Sequence, residues 1–582
     1  MNIVKYKKLV DYQDIDWGTC YQKLADLQHK LVEAHRLNNN RIVKDLQRNI
    51  VTSFSARALA VRRVTSNKGG RTPGVDGVKW DDPAKRVAAI SELQHLTQNL
   101  LEYKASPVKR VFIPKPGKTE KRPLGIPTLV DRAMQAVYLY SIDPLVEEVS
   151  DDNSYGFRPY RGAREAMAKI RDTLGKDYSP NQLLDADIEK CFDKINHSWL
   201  MEHVPIIDKE VLESWLRSGV DTFGTREPTE LGVPQGGVIS PTLSNIALNG
   251  IEPYVKGCTE HMVPRRQRTK VYLIRFADDF IVSAASREIL DTVTTSIGEF
   301  LEPRGLRLHP EKTSVLDLGT GKSFTFLGFE FSKKPLNLRL NMRSRKNKTT
   351  KRLVVRPSKK NVNKLKQQVK AVLTSGRPIA GVIKELNPKL RGWFNYFKVA
   401  RHSPRLFKSF GNWMWRRMLM WAQKKHSRRN VEWIRDRYIG KSKWRSNHWC
   451  DKSEEGAVRY LLDVSTVTHM FVPTFPTGFK PYLKEDREKL EARSRKISSS
   501  AKGRKSIRDS LLKRDKGMCP VCETSILETW EPIELHHLVP LSEGGSWSLV
   551  NLVLLHQICH RTVTHNEGAN LKLLESFNLK PI

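Results

Sequence analysis

The sequence predicts a multidomain α/β protein, followed by an α-helical basic region and a small C-terminal domain with a metal site. Short strand-like runs alternate with helical stretches between about residues 76 and 335, which is typical of an α/β core. Residues 341–450 contain 31 Lys and Arg residues but only three acids, so a different region begins there. A CxxC pair, Cys519 and Cys522, and the later pair His556 and Cys559 indicate the metal site.

Length and charge limit the possible functions. The chain has 582 residues, which corresponds to about four domains at ~150 residues each. Apolar residues make up 39% of the chain, which excludes a disordered or fibrous protein. The 100 Lys and Arg residues outnumber the 63 Asp and Glu residues, for a net charge of +37. So large an excess predicts a polyanionic partner.

Cysteine usage and hydropathy predict a cytoplasmic protein. Seven cysteines in 582 residues are too few for a disulfide scaffold. No apolar run approaches the ~20 residues that a membrane span needs, so no membrane partner is expected. The N-terminal region lacks the apolar core of a signal peptide, and its acids Asp11, Asp14 and Asp16 are unlike an acid-poor transit peptide. We expect a bacterial cytoplasmic protein, with an organelle-encoded origin left open.

Changes in composition divide the chain into five segments. Leucines at roughly helical spacing predict helices before a turn-rich break at 67–74, and a stretch rich in Ser, Lys and Arg at 496–507 is typical of a linker. The predicted segments are a helical N-terminal extension (1–65), the α/β region (66–340), the basic region (341–450), a further region with a linker (451–505) and the C-terminal metal domain (506–582).

The α/β region contains two acidic groups, each in or after a strand-like run: Asp185 with Asp187, and Asp278 with Asp279. Adjacent aspartates in an apolar run are costly because like charges repel and burial disfavours ionisation. Three carboxylates holding two Mg²⁺ ions would remove that cost, and the ions would activate a 3′-hydroxyl and stabilise a leaving pyrophosphate. The alternative is two strand ends where acids turn to solvent. Asp185 and Asp187 are both candidates because residues two apart share a strand face.

Ordered motifs around these acids resemble those of group II intron reverse transcriptases. The matching segments are 67–77 (NKGGRTPGVDG), 113–127 (IPKPGKTEKRPLGIP), 154–159 (SYGFRP), 232–241 (GVPQGGVISP), 305–313 and 326–328 (FLG). The resemblance covers nearly the whole chain. It implies the fingers and palm of a right-hand polymerase over 66–340, an α-helical thumb or maturase domain over 341–450, and a DNA-binding region with a linker over 451–505, the DNA-binding part being residues 451–500.

The resemblance also implies roles for single residues. Asp187, Asp278 and Asp279 would form the metal-binding triad. Asp187 is preferred to Asp185 because Phe192 then falls five residues later, where the family places the aromatic ring that blocks a ribose 2′-hydroxyl and so selects dNTPs. Phe276 stands where the family more often has Tyr, a change that spares both aspartates.

Four further residues would contact the substrates. Lys115 and Arg122 flank a Pro-Gly turn and would contact the dNTP triphosphate, with Lys121 as an alternative to Arg122. Gln235 resembles the residue that supports the templating base. Lys312 resembles the lysine proposed to protonate pyrophosphate as a general acid.

The basic region combines charge with aromatic residues. Residues 341–450 have a net charge of +28 and contain seven of the 13 tryptophans. Lys and Arg side chains that contact phosphates release counterions and make binding salt-dependent. The tryptophans either form a helical core or stack on unpaired bases. The region resembles the family's thumb or maturase domain, which grips the primer–template duplex and the intron RNA.

The C-terminal cluster predicts zinc and a nuclease. Cys519, Cys522, His556 and Cys559 form a Cys₃His pattern typical of structural Zn²⁺. Further residues resemble an HNH endonuclease of the ββα-metal fold, and this resemblance implies their roles. His537 would be the general base, His536 and His560 would hold one divalent cation, and Asn551 would orient the turn or the base. His556 and His560 are four residues apart and would face one ion on a helix, but the CxxC pair needs a fourth ligand, so His556 is assigned to zinc.

The resemblances together imply a multifunctional group II intron-encoded protein. It would copy intron RNA by target-primed reverse transcription, assist splicing as a maturase, and nick target DNA for retrohoming. The implied partners are the intron RNA in a ribonucleoprotein, double-stranded target DNA and dNTPs. One alternative is a splicing-only maturase with an inactive polymerase core, which the retained triad argues against. Another is a nuclease that the upstream region only positions.

Overall fold

The structure is a computed structural model that describes most of the chain. It describes residues 11–66, 68–114, 121–176, 178–263, 271–335, 351–442, 446–452, 458–483, 507–523, 533–540, 548–565 and 567–577, with single residues 485, 486, 489, 493, 526 and 545. Within these ranges, no helix combines the length and the apolar character that crossing a bilayer requires.

Helices occur along the whole described part of the chain. They are α1 (Trp17–Arg36), α2 (Asn40–Thr52), α3 (Phe54–Thr65), α4 (Pro83–Gln98), α5 (Leu129–Val149), α6 (Ala163–Leu174), α7 (Cys191–Lys194), α8 (His197–His203), α9 (Lys209–Leu216), α10 (Ser240–Leu248), α11 (Ile251–Thr259), α12 (Arg287–Leu301), α13 (Lys359–Thr374), α14 (Ile379–Phe397), α15 (Ser403–Lys425), α16 (Val431–Tyr438), α17 (Ile507–Arg514), α18 (Gln557–His565) and α19 (Glu567–Ser576). The helices predicted between residues 20 and 65 are confirmed as α1, α2 and α3. Asp16, Asn39 and Ser53 cap them by accepting backbone N–H groups of the first turn.

The strands form five sheets in the described part of the chain. They are β1 (Val108–Pro114), β2 (Lys121–Ile126), β3 (Gln182–Asp187), β4 (Val220–Thr222), β5 (Thr225–Glu227), β6 (Tyr272–Phe276), β7 (Asp279–Ala284), β8 (Ser314–Asp317), β9 (Ser323–Phe326), β10 (Phe329–Pro335), β11 (Lys351–Pro357), β12 (Ile439–Gly440), β13 (His448–Asp451), β14 (Arg459–Tyr460), β15 (Ile533–His537) and β16 (Leu552–His556). The palm sheet has the order β6-β7-β3-β8, and the fingers sheet has the order β2-β1-β4-β5. The other three are β11-β10-β9, β12-β13-β14 and β15-β16.

The palm sheet separates two hydrophobic cores. Along β3, Leu184 and Ala186 belong to a first core shared with the N-terminal helices, whereas Leu183 belongs to a second core shared with the thumb. This alternation follows from the two-residue period of a strand. It leaves Asp185 and Asp187 on the face of the second core, at the open end of the sheet. Because both faces of the sheet are buried, its strands appear in the sequence as runs of apolar residues.

The basic region is α-helical, as predicted, and its aromatic residues pack inward. Trp421 and Trp449 are buried, while Trp393, Trp413 and Trp415 are partly buried against the second core. These tryptophans therefore contribute to the helical core, and the cations lie around it. The strands β10 and β11, on either side of the predicted boundary at 340, pair in one antiparallel sheet.

The segment predicted as the DNA-binding region packs against α5. The Tyr482 hydroxyl donates to Asp143 Oδ2 of α5 (2.5 Å), and Lys480 Nζ donates to the Glu147 carbonyl (2.8 Å). Its role in DNA binding stays a prediction. A third core, with α17, β15, β16, α18 and α19, forms the C-terminal domain.

Candidate polymerase and nuclease sites

The two acidic groups of the α/β region meet at one end of the palm sheet. β3 and β7 are antiparallel, and their register places Asp187 directly opposite Asp279. β6 and β7 form a hairpin whose turn residues are Ala277 and Asp278. Ala277 has a left-handed φ of 57°, as tight hairpin turns require. The sheet thus brings together the three carboxylates predicted as the metal triad.

Burial and neighbouring negative charge raise the pKa of three carboxyl groups at this end of the sheet, Asp185, Asp278 and Asp279. Loss of hydration and the charges of Asp278 and Asp187 raise the pKa of Asp279 to about 7. Burial and the charge of Asp187 raise the pKa of Asp185 to about 6. Burial also raises the pKa of Asp278. A divalent cation would stabilise oxygen donors that repel one another in this way, so the residues fit Mg²⁺.

The structure distinguishes the two candidates on β3. Asp185 is paired with Ile281 on one side and Ser314 on the other, so it lies within the sheet. Asp187 is the last residue of the strand and faces Asp279. Its position supports the choice of Asp187 over Asp185 as the third carboxylate.

Lys312 lies beside the triad. It ends the 3₁₀ turn Pro310–Lys312, which follows a backbone hydrogen bond from His309 N–H to the Asp187 carbonyl (2.8 Å). The Lys312 ammonium donates to Asp187 Oδ2, and this hydrogen bond raises the pKa of Lys312. A lysine kept protonated at this place fits the predicted general acid.

Of the predicted triphosphate contacts, Arg122 lies on β2 and Lys115 lies outside the described residues. Arg122 is exposed on β2. Its positive charge opposes the rise in the pKa of Asp278. Lys121 precedes it on the strand, and successive strand residues point to opposite faces. The electrostatic contact favours Arg122 over Lys121.

Phe192 and Gln235 lie on two segments that hydrogen-bond to each other. Phe192 is on α7, directly after β3, and its carbonyl accepts from Val233 N–H (2.6 Å). Gln235 Nε2 donates to Asp193 Oδ1 (3.1 Å). The Gln235 carbonyl accepts from Gly125 N–H of β2 (2.7 Å). The fingers strand, the glutamine and the aromatic ring are therefore held in one connected unit.

Two glycines allow the close approaches in this unit. Gly236 has a φ of +128°, and a Cβ there would lie 2.3 Å from the Gly125 carbonyl oxygen. A Cβ on Gly156 would lie 2.3 Å from the Ala277 nitrogen, below the triad hairpin. Any side chain at either position would push apart the backbones that frame the site.

Sequence reasoning missed Arg275, which is fully buried beneath the hairpin. Its guanidinium donates to Asn245 Oδ1 (3.1 Å), Asn249 Oδ1 (3.1 Å) and the Ala277 carbonyl (3.3 Å). Burial lowers its pKa to about 10, so it stays charged at neutral pH. Arg275 therefore supports the turn that presents Asp278. The sequence feature that could have indicated this role is a single arginine within an apolar strand.

The four predicted zinc ligands lie together. Cys519, Cys522, His556 and Cys559 each offer one ligand atom, all within 4.8 Å of one another. Cys522 Sγ and Cys559 Sγ lie 3.3 Å and 3.9 Å from His556 Nδ1. Contacts with Cys519 and Cys559 lower the pKa of Cys522, which favours a thiolate. Three thiols and one imidazole fit zinc, and His556 lies in this group.

The predicted nuclease residues lie on a ββα arrangement. His536 and His537 end β15, β16 pairs with it, and His560 lies on α18 directly after β16. The rings of His536 and His560 have centroids 5.1 Å apart. His536 Nε2 is buried and has no hydrogen-bond partner among the described residues. A buried imidazole nitrogen with no such partner can bind a cation, and the neighbouring imidazole of His560 can supply a second ligand.

Sequence reasoning also missed Glu534, which orients His560. Glu534 Oε2 lies 2.6 Å from His560 Nδ1, and Oε1 accepts from Gln557 Nε2 (3.0 Å). The other nitrogen of the His560 ring is then left for a cation, as in carboxylate–histidine–metal sites. The sequence feature that could have indicated this role is an acidic residue two positions before His536, which places both side chains on the same face of the strand.

Asn551 closes the loop between the two strands. It is buried, its side chain accepts from Val539 N–H (2.8 Å) and donates to the Val539 carbonyl (3.0 Å). Its own carbonyl accepts from Leu538 N–H (3.0 Å). Of the two roles predicted for Asn551, these contacts support the one in the turn.

Both strand histidines are neutral at pH 7. Burial and the charges of Arg391 and His560 lower the pKa of His537 to about 4. Burial and the charge of His560 lower the pKa of His536 to about 4. A general base and a metal ligand both require the neutral imidazole.

The fold and these sites define a right-hand polymerase joined to a ββα nuclease domain. Four segments of the chain match known family models. They are 12–93 (N-terminal domain of reverse transcriptase), 113–331 (reverse transcriptase, RNA-dependent DNA polymerase), 362–439 (group II intron, maturase-specific domain) and 519–566 (HNH endonuclease).

The chain belongs to the group II intron-encoded proteins that join a reverse transcriptase, a maturase domain and an HNH endonuclease. It is 31% identical to Protein YkfC of Escherichia coli (strain K12), over 53% of this chain and 89% of that protein. It is 31% identical to the group II intron-encoded protein LtrA of Lactococcus lactis subsp. cremoris, over 34% of this chain and 33% of LtrA. It is 26% identical to the putative COX1/OXI3 intron 1 protein of Saccharomyces cerevisiae, over 52% of this chain and 40% of that protein.

Proposed function

We propose that the protein copies group II intron RNA by target-primed reverse transcription, assists splicing of that RNA, and nicks target DNA for retrohoming. The observation that supports this most directly is the presence of two separate sites in one chain. Three carboxylates converge where β3 meets β7, and His536 lies beside His560 of α18, with His537 next along β15. A nick supplies the 3′-hydroxyl that a polymerase needs as a primer, so the two sites serve one sequence of reactions.

At the polymerase site, Asp187, Asp278 and Asp279 would hold two Mg²⁺ ions. When bound, these ions would activate the primer 3′-hydroxyl and stabilise the pyrophosphate leaving group. Lys312, kept protonated by its contact with Asp187, would give its proton to the pyrophosphate. Three further contacts remain predictions. Arg122 and Lys115 would bind the dNTP triphosphate, and Phe192 would contact its sugar. Gln235 would support the templating base.

At the nuclease site, His537 would accept a proton from the attacking water. His536 and His560 would hold a divalent cation that stabilises charge on the scissile phosphate. Glu534 keeps the His560 ring in one orientation, and Asn551 keeps the turn between the strands closed. The Cys₃His group would hold a structural Zn²⁺ and so fold this small domain.

An arginine-lined cavity supports RNA as a partner. The cavity, of about 100 Å³, lies where α6 meets β11 and is lined by Arg164, Arg171, Arg352 and Arg401. Arg171 donates to the Val472 carbonyl (2.7 Å), and the other three arginines form no carboxylate ion pair within the described ranges. Guanidinium groups crowded in this way repel one another, and backbone phosphates would neutralise them. We therefore place a phosphate contact of the intron RNA here.

Salt dependence tests this contact. The double variant Arg164→Gln, Arg401→Gln should flatten the dependence of intron-RNA affinity on salt, by roughly 0.7 to 0.9 in log–log slope for each phosphate that the variant no longer neutralises. Arg287→Gln is the control, because Arg287 is paired with Asp291 (2.9 Å) on an exposed helix face. An unchanged slope in the double variant would place the RNA elsewhere.

The bacterial cytoplasm is the proposed compartment. All seven cysteines are free thiols in the structure, which suits a reducing environment. The relatives include intron proteins of a bacterium and of Saccharomyces cerevisiae, so an organelle-encoded origin stays open. A splicing-only maturase is not favoured, because the polymerase and nuclease domains are both present.

The function is tested with a ribonucleoprotein assembled from the full chain and the RNA transcribed from DNA flanking its gene. We expect spliced RNA, a nick in one strand of a labelled duplex, and cDNA joined to the nicked end. His537→Ala should reduce nicking about 10²- to 10⁴-fold and leave dNTP incorporation on poly(rA)/oligo(dT) intact. His95→Ala is the control, since His95 lies on the exposed face of α4 beside Glu102.

Two results would contradict the proposal. Wild-type nicking by His537→Ala would remove the general-base assignment. A wild-type protein that assists splicing but incorporates no dNTP in Mg²⁺ would favour the splicing-only alternative.

A further inference from the structure

The zinc cluster of the nuclease domain contacts the helices at the other end of the chain. Arg62 of α3 donates from Nη2 to Cys559 Sγ (3.0 Å), across 497 residues of sequence. The Tyr21 ring of α1 lies 6.2 Å from the His556 ring, measured between centroids. Two of the four zinc ligands thus touch α1 and α3, which lie in the segment that matches the N-terminal domain of reverse transcriptase.

Arg62 is held in place by aromatic rings. Its guanidinium carbon lies 4.5 Å from the Trp17 ring centroid and 5.8 Å from that of Tyr21. The residue is only 7% exposed. An arginine stacked on aromatic rings loses little further entropy when it forms a directed hydrogen bond. The contact surface on the polymerase side is therefore already formed, and we call Trp17, Tyr21 and Arg62 the aromatic–arginine socket.

The charges of the two sides are complementary once zinc is bound. Three thiolates and a neutral imidazole around Zn²⁺ leave a net charge of −1, which a buried guanidinium would balance. Asp16 also lies near Cys522, but its carboxylate caps α1 by accepting from Thr19 N–H (3.0 Å). Zinc would hold all three sulfurs as thiolates, which are stronger acceptors for the Arg62 guanidinium than thiols.

We propose that the aromatic–arginine socket docks the zinc-loaded knuckle, so that zinc binding sets where the nuclease domain sits on the polymerase. This inference rests on the proposed zinc site. Arg62 acts as a positioning residue, because it touches a zinc ligand and no reacting atom. In the docked arrangement the zinc ligands Cys559 and His556 lie against α3 and α1 of the polymerase half of the chain. Docking would therefore hold the nick site close to the polymerase that extends it.

The test measures hydrogen exchange and zinc content on the full chain. Arg62→Met keeps the apolar stem against Trp17 and Tyr21 but removes the charge, and Arg62→Lys keeps the charge but removes the planar fork. Arg63→Gln is the control, because Arg63 is the next residue of α3 and lies over the Tyr140 ring (5.8 Å). We expect Arg62→Met to keep one zinc per chain and to exchange about 10-fold or more faster in α1 and in 552–565. Arg62→Lys should be intermediate, and Arg63→Gln should match the wild type.

Removing zinc from the wild type with a chelator should speed exchange in α1 as Arg62→Met does. Arg62→Met should also lower the yield of cDNA joined to nicked target several-fold, with dNTP incorporation on poly(rA)/oligo(dT) unchanged. Wild-type exchange in zinc-loaded Arg62→Met and Arg62→Lys would overturn the docking proposal. A wild-type chain that binds no zinc would instead overturn the zinc site itself, so the two failures are distinguishable.

Discussion

The polymerase site and the zinc site are built over very different distances along the chain. The zinc ligands come from two short segments, 519–522 and 556–559, whose spacing alone brings each pair together. The polymerase carboxylates meet only because β3 pairs with β7 in a sheet that lies between two hydrophobic cores. One site depends on ligand spacing and a metal, the other on the packing of the whole polymerase body.

This difference predicts different sensitivities. The small nuclease domain has a core of few residues, and domains of that size commonly rely on a metal for folding. The palm sheet is covered on both faces, so its geometry survives the removal of a single surface side chain. A change in the zinc site should therefore disable the nuclease alone, whereas a change beneath the palm hairpin should disable polymerisation alone.

The largest effect is expected from Cys522→Ser. Loss of one thiolate should remove the zinc, since structural Zn²⁺ contributes about 10 kcal/mol or more to small metal domains. Nicking should be abolished, while dNTP incorporation stays near wild type. Metal analysis and both activity assays on the full chain check this. Cys258→Ser, outside the cluster, is the control, and equal loss of both activities would contradict the independence of the two sites.

The next largest effect is expected from Asp279→Asn. It removes one charge from the triad without changing side-chain size. Incorporation of dNTPs should fall about 10³-fold, because metal-held charge contributes several kcal/mol to such transition states. Nicking should not change, and Asp291→Asn on the exposed face of α12 serves as the control. Wild-type polymerisation by Asp279→Asn would refute the triad.

Arg275→Lys tests the support beneath the triad. Lysine cannot replace the fork that reaches Asn245, Asn249 and the Ala277 carbonyl. We expect a loss of roughly 2 kcal/mol in stability and a fall of roughly 10- to 100-fold in kcat through misplacement of Asp278. Urea denaturation and steady-state kinetics measure these. A stability loss with kcat unchanged would show that Arg275 supports the fold but not the site.

The smallest effect is a pH dependence at the contact between α5 and the 458–483 segment. Burial and the charge of Glu147 raise the pKa of Asp143 to about 6, so the folded protein binds this proton more tightly than the unfolded chain does. The wild type therefore loses stability as pH rises from about 4 to about 6, and stays lower above that. Asp143→Asn, which cannot ionise, should gain about 1 to 2 kcal/mol relative to the wild type between pH 4.5 and 7.5.

Denaturation midpoints of both proteins at the two pH values check this shift. A difference that is equal at pH 4.5 and 7.5 would mean that the Tyr482 hydroxyl, 2.5 Å from Asp143, keeps that carboxylate charged in both states.

The sequence predicted the local parts of this molecule most completely. The helices before residue 65 and the Cys₃His cluster follow from spacings of two to four residues, which local geometry converts directly into contacts. Arg275 and Glu534 escaped prediction because their roles depend on partners that packing brings close. For Arg275, those partners include Asn245 and Asn249 on another element.

By itself the sequence determined the chemistry: which carboxylates, imidazoles and thiols are available, and how strong the positive charge is. Only the tertiary structure brought Asp187, where β3 ends, opposite Asp279, because that contact depends on how β3 pairs with β7. The contact between Arg62 and Cys559 likewise forms only when the two ends of the chain meet. Spacing along a chain specifies short-range geometry, whereas long-range pairs are set by the cores that the whole chain must bury.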